Sequence, residues 1–180
     1  MLKITIPKTE MWNEQVQEFI DVEEQTLELE HSLVSLSKWE SKWNKAFLTK
    51  QDKTDEEVLD YIKCMTLTPD VDPKVYYCLT DHNYEQVMSY IDESMTATYF
   101  SGGANSGANR ERTTAELIYY WMIALNIPFE CENWHLNRLI TLIRVCSIKN
   151  QPPKKRSSGE IISGYAALNE ERRKQLNSKG

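Results

Sequence analysis

The side chains that could do chemistry are few and scattered. Glu132 and His135 stand three apart, the Glu-x-x-His spacing that sets a carboxylate and an imidazole on one helix face in carboxylate-bridged metal sites. Such centres use the motif twice, with further carboxylates, and here it occurs once. Cys131, His135 and Cys146 are zinc-type donors, with Cys64 or Cys78 as a fourth, but their spacing follows no closed finger pattern. The expectation is no metal and no cofactor, a partly buried His135, and cysteines packed as small hydrophobes. His31 and His82 have no nucleophile and acid spaced around them, and no Gly-x-Ser-x-Gly elbow occurs. The stretch 101–109, SGGANSGAN, has the glycines of a phosphate loop, yet Gly107 is followed by Ala108 and Asn109 where a P-loop needs lysine. No catalytic constellation results, and the chain reads as non-enzymatic.

The elements that would position these residues centre on 113–149. Thr113 and Glu116 have capping-box spacing, and the run from Leu117 to Leu125 has almost no polar face, which predicts a helix buried on several sides. Asn126-Ile127-Pro128 ends it, because the residue before proline is pushed out of the helical region. A second helix is expected from near Asn133. Trp134, Leu136, Leu139, Ile140, Ile143 and Cys146 make its apolar surface, and Asn137, Thr141 and Arg144 a narrow polar stripe.

Upstream, alternation predicts a short strand at Lys3–Ile6, a small hairpin over 10–20 with Trp12 and Phe19 on opposite arms, and a strand at Thr26–Glu30 with Leu27 and Leu29 on its covered face. From Ser35 the period changes. Leu36, Trp39, Trp43 and Phe47 recur at three- and four-residue steps of an amphipathic helix. These aromatics serve either core packing against the sheet or a partner surface. Thr54–Glu57 is a capping box opening a helix that carries Val58, Tyr61, Ile62 and Met65 and ends at Pro69 and Pro73. Asp72-Pro73 starts a short helix, and Thr80-Asp81 another with Tyr84, Val87, Met88 and Ile91 inward. Residues 95–100 are either an extended connector or a strand.

The fold class is mainly α (α+β): a helical domain with a small N-terminal antiparallel β element and a basic C-terminal tail. The expected layout is a β element over 1–34, a helical half over 35–100, a flexible glycine-rich loop over 101–109, an apolar helical hairpin sharing the core over 110–150, and a basic, partly disordered tail over 151–180. No apolar run approaches the ~20 residues that span a bilayer, and the N-terminus lacks a signal-peptide core. Four widely spaced cysteines suit a reducing compartment. Net charge is −6 but uneven. Residues 149–180 hold eight Lys/Arg against three Glu, or +5; the other 148 residues hold 13 against 24, or −11. In the tail, Ile161, Tyr165 and Leu168 fall at helical steps, with Leu176 among Arg172, Arg173 and Lys174. That is a weakly amphipathic basic helix, suited to solubilising the chain or to folding onto an acidic partner.

The blocks HSLVSLSKWESKWNKAF (31–47), MTLTPDVDPKVY (65–76), MTATYF (95–100), ELIYYWMIALNIPFECENWHLNRLITLIRVC (116–146) and the ending NQPPKK…AALNEERRKQLN together resemble the tail assembly chaperones of tailed bacteriophages of the siphophage type. The likeness spans about residues 25–177 and contains no catalytic motif. It implies a helical, non-enzymatic helper in the host cytoplasm of the infected cell. Such a helper binds the tape measure protein, keeps it soluble while tail tube subunits polymerise round it, and is absent from the mature virion. The tail tube protein and a second copy are further partners on this reading; membrane and nucleic acid are not expected. Partner-binding residues would be Trp39, Trp43, Phe47, Ile161, Tyr165 and Leu168. One alternative is a structural virion protein, a head–tail connector or tail completion factor, since apolar helices facing a neighbour in a ring have the same pattern. The other is a nucleic-acid-binding regulator using the basic tail, which lacks interleaved aromatics apart from Tyr165.

Overall fold

Alternating side chains set the first layer. In the computed structural model, which describes residues 1–13, 17–49, 52–100, 112–151 and 158–176, Leu2–Ile6 (β1) pairs antiparallel with Gln25–Leu29 (β4), with Ile4 opposite Leu27. Ile4, Ile6, Leu27 and Leu29 all point to one face and are buried. Between them in sequence, Thr9–Asn13 (β2) and Glu18–Val22 (β3) form a hairpin in which Trp12 stands opposite Phe19. The fold is mainly α with this small N-terminal antiparallel β element.

Leu33–Trp43 (α1) starts two residues earlier than the aromatic period suggested, because Ser32 caps it and Ser35 returns the bond to the Ser32 amide. It also ends earlier. Asn44 takes a left-handed conformation (φ 52°) and donates its N–H to the Glu40 carbonyl, so Phe47 lies beyond the helix and folds back to stack on Tyr61 at 3.7 Å. Asp55–Met65 (α2) opens with the expected Thr54–Glu57 capping box. It stops at Met65, before either proline, because Thr66 and Leu67 turn to pair with β4. The Glu30 amide bonds the Met65 carbonyl at 2.9 Å, and the Leu67 amide bonds the Glu28 carbonyl at 2.8 Å.

Pro73–Cys78 is a single 3-10 segment capped by Asp72. Asp81–Asp92 (α3) follows Thr80 as predicted, but its inner face is Asn83, Val87 and Tyr90. Met88, expected inside, is exposed. The helix is rotated so that Asn83 can both cap its own first turn and donate from Nδ2 to the Thr5 carbonyl of β1. Residues 95–100 form a connector rather than a strand. The 101–109 loop lies outside the described residues.

Ala115–Ala124 (α4) begins one residue later than the Thr113–Glu116 spacing suggested, with Thr114 as its cap. Its end is a Schellman turn: Asn126 at φ 53° sends its amide to the Ile123 carbonyl, and the Ile127 amide reaches Met122 at 2.8 Å. Phe129–Asn133 is a 3-10 segment, not helix, and Trp134 is extended. Leu136–Asn150 (α5) therefore starts three residues after the expected Asn133. The delay has a cause: Ser32 and His135 form a β-bridge, with the Leu136 amide on the His31 carbonyl at 2.7 Å.

Two hydrophobic clusters result. One gathers Ile4, Ile6, Leu27 and Leu29 with Trp39, Tyr61, Ile62 and Met65 and the inner face of α3. The other gathers Leu33 and Leu36 with Ile118, Met122, Leu136 and Leu139. Helix α1 serves both, giving Trp39 to the first and Leu33 and Leu36 to the second. The chain divides into two compact units, Met1–Ser147 and Ile148–Gly180. The second contains Ser158–Leu176 (α6), whose Glu170 and Lys174 pair one turn apart at 3.0 Å. No helix among the described residues is long and apolar enough to cross a membrane.

Candidate functional site

Two of the three histidines are used inside the fold. His31 and His135 are both buried. His31 Nδ1 lies 2.6 Å from the Tyr61 hydroxyl. His135 Nδ1 accepts the Asn137 amide at 3.3 Å, which leaves the ring proton on Nε2 to donate to the Tyr90 carbonyl at 2.9 Å. Burial, with the neighbouring His135 as a smaller cause, holds His31 down to a pKa of about 3. Burial likewise pushes the Tyr61 phenol well up, so it stays protonated. The cluster continues through Tyr90, whose hydroxyl donates to Glu30 Oε1 at 2.8 Å, while Glu30 Oε2 takes the N-terminal ammonium of Met1. Buried rings whose polar atoms bond the backbone and one another make a structural joint, closed to a substrate.

Glu132 does not share a helix face with His135. It sits in the 3-10 segment and accepts from the Tyr119 hydroxyl at 2.9 Å. Cys131 is buried, Cys64, Cys78 and Cys146 are half-buried, and all four are free. Burial pushes the thiols of Cys64, Cys78 and Cys131 up, away from the nucleophilic thiolate. Of two open hollows, of about 280 and 360 Å³, the first sets Asp21, Glu23, Glu24 and Asp72 around Lys74, and the second is lined by Leu2, Gln86, Ser89 and Tyr90 with Glu85 and Glu93 beside His82.

The aromatics of α1 also go inward. Trp39 is 1% exposed and donates its indole N–H to the Glu57 carbonyl at 2.8 Å, so it has no surface to give a partner. Trp43 is half-buried, stacked on Trp39 at 6.1 Å, and donates to Asp60 Oδ2 at 2.9 Å. Lys42 pairs with Asp60, and Lys45 with Glu57, flanking the same indole. Phe47 is half-buried against Trp39 and Tyr61. The tail residues differ: Tyr165 and Leu168 on α6 are exposed, as are Ile162 and Leu176, while the Ile161 side chain lies outside the description.

An uncovered apolar face lies on α4. The run 117–125 was expected to be enclosed, and the structure corrects this. Ala115, Ile118 and Met122 are buried, Leu117 and Trp121 are half-buried, and Tyr120 and Ile123 are each 62% exposed. Phe129, 53% exposed, extends the patch, its ring 6.4 Å from that of Tyr119. One-sided burial follows from the packing: residues of α1 and α5 share a buried cluster with Ala115, Ile118 and Met122 on one flank of α4, while Tyr120 and Ile123 on the other stay exposed.

No protein-family model matches the chain, and neither a curated protein nor a solved structure matches it.

A helix apolar on all sides offers the sequence reader no polar side by which to orient it. The available signal was chemical: Tyr119 and Tyr120 in mid-run carry hydroxyls that a closed core has to satisfy. Tyr119 finds Glu132, and Tyr120 faces out.

Proposed function

We propose that this chain is a tail assembly chaperone of a tailed bacteriophage. It acts in the cytoplasm of the infected cell, binds the tape measure protein, and keeps it soluble while tail tube subunits polymerise round it. The observation that carries this reading is the bare outer face of α4, Tyr120 and Ile123 with neighbouring Phe129, on a helix whose inner face is fixed in the core. An anchored ridge of large apolar side chains suits binding long apolar helical segments. The exposed apolar residues of α6 offer a second point of contact, and two linked sites raise avidity without a tight contact at either. The excess of acid in the first 148 residues keeps a protein with such a face dispersed. The sequence resemblance to phage tail assembly chaperones points the same way.

Mass spectrometry of infected-cell lysate and of purified virions tests this. The chaperone reading expects the chain in the lysate and not in the particle. Stoichiometric presence in virions would replace it with a connector or completion factor.

A further inference from the structure

The outer face of α4 has a charge character that names its occupant. Residues 113–137 contain three carboxylates, Glu116, Glu130 and Glu132, and no Lys or Arg. Of the arginines that flank the segment, Arg112 and Arg138, the second is laid over the Trp134 ring, 4.1 Å from its centroid. Glu116 lies one turn before Tyr120, and Ile123 three residues after it, so acid and apolar residues share one helix face. Phe129 packs beside Tyr119, placing the exposed Glu130 next to the same patch. Glu132 accepts from the Tyr119 hydroxyl at 2.9 Å. From Glu116 to Ile123 the face runs about 10 Å, roughly two helical turns. That is the reach of anchors at i, i+3 or i+4, and i+7 on a helix laid against it.

We infer that this face docks an amphipathic helix whose apolar stripe is bordered by Lys or Arg; the assignment rests on the chaperone reading and specifies the segment of the client it takes. Basic borders would lie against Glu116 and Glu130 while the stripe covers Tyr120, Ile123 and Phe129. A helix with acidic borders meets like charge, which costs specificity and rate of encounter. A second copy is a poor occupant in symmetric pairing, because a two-fold contact sets the same patch on itself and brings the carboxylates of both copies together.

The test uses the full chain and two synthetic peptides about five turns long with identical leucine stripes, one bordered by lysine and one by glutamate. Fluorescence anisotropy of labelled peptide should show binding of the lysine peptide and not of the glutamate peptide. Tyr120→Ser with Ile123→Ser should weaken lysine-peptide binding at least about tenfold. Glu116→Lys with Glu130→Lys should weaken it severalfold and admit the glutamate peptide. All four positions are exposed, and unchanged melting curves would confirm that the variants fold. Equal binding of both peptides, or undiminished binding by the serine variant, would overturn the assignment. So would a wild-type dimer that the serine variant makes monomeric, since that gives the face to a second copy. Failure here is separable from failure of the function. A serine variant that still keeps a tape measure protein soluble removes the face and leaves the chaperone standing. A face that binds the lysine peptide in a protein that does nothing for a tape measure protein does the reverse.

Discussion

The imidazoles of His31 and His135 meet edge to face, 5.1 Å between centroids at 68°, where the β4–α1 turn touches the start of α5. The two residues are 104 apart in sequence, and their contact, with the Leu136 amide on the His31 carbonyl, joins the segment leaving the sheet to the last core helix. Tyr61 from α2 and Tyr90 from α3 close on the same rings, at 5.8 Å from His31 and 4.8 Å from His135. Elements from both hydrophobic clusters thus converge on one aromatic joint.

That joint should be acid-sensitive. Above pH 6.5 His31 is neutral in both folded and unfolded chains, and its burial costs nothing in protonation. As pH falls below 6.5 the unfolded chain takes up a proton that the folded chain refuses until about pH 3. Stability is lost across that window at about 1.4 kcal/mol per pH unit for this one group. His31→Asn, which keeps an acceptor near the Tyr61 hydroxyl, should flatten the fall. Urea melts between pH 7 and 4.5 on both proteins check this, because carboxylates titrate alike in the two. Parallel curves would mean that His31 is protonated without cost.

Glu40 is a second long-range tie. Its carboxylate, though buried, accepts the Phe47 amide at 2.8 Å and the Ala115 amide at 2.7 Å, so α1 caps the start of α4 from 75 residues away. Burial pushes its pKa up, and the two amide bonds oppose the shift. Glu40→Gln turns an NH₂ towards one of these amides, donor against donor. The expected loss is on the order of 2 kcal/mol by chemical denaturation, with earlier proteolysis near Phe47. A silent substitution would mean that water replaces the carboxylate at no cost.

The two faces of α4 should behave oppositely. Ile118→Ala or Met122→Ala opens a cavity in the second cluster and should cost about 2–5 kcal/mol. Tyr120→Ser or Ile123→Ser removes exposed area and should stay within about 0.5 kcal/mol of wild type. Thermal or urea melts of the four variants decide it. Destabilisation of the same size on both faces would show that the outer face is covered in solution.

Much of the fold was legible in the sequence; the ends of α1 were missed at the local caps Ser32 and Asn44, and most other misses share a cause. Alternation marked β1 and β4 because each has one covered face, and Thr54, Asp72 and Thr80 announced their helices through local hydrogen bonds. Those errors came where a distant residue set the boundary. Glu40 takes the first amide of α4, the Ser32–His135 bridge delays α5, and Asn83 rotates α3 by reaching for Thr5. On α5 one member of the polar stripe, Asn137, turns to α3 for the same reason, donating to the carbonyls of Ile91 and Glu93, while Arg144 stays exposed. The candidate site was least legible. Trp39 and Trp43 carry enough apolar area to suit a core or an interface, and only the packing of Tyr61 and Glu57 decides for the core.

Removing residues 153–180 should leave the melting temperature of the remainder nearly unchanged, because Met1–Ser147 forms a compact unit with its own buried clusters. The same deletion should weaken capture of a tape measure protein by taking away the exposed apolar residues of α6. Differential scanning calorimetry beside a pull-down checks both halves. An insoluble truncated chain would show that the tail helps form the core.

Co-expression with the tape measure protein encoded beside this chain, the client that the proposed function requires, tests the central claim most directly. The account predicts that the tape measure protein, insoluble alone, moves to the soluble fraction and co-purifies with this chain. It also predicts that Tyr120→Ser with Ile123→Ser returns it to the pellet. A tape measure protein that stays insoluble beside abundant, folded wild-type chain would contradict the account.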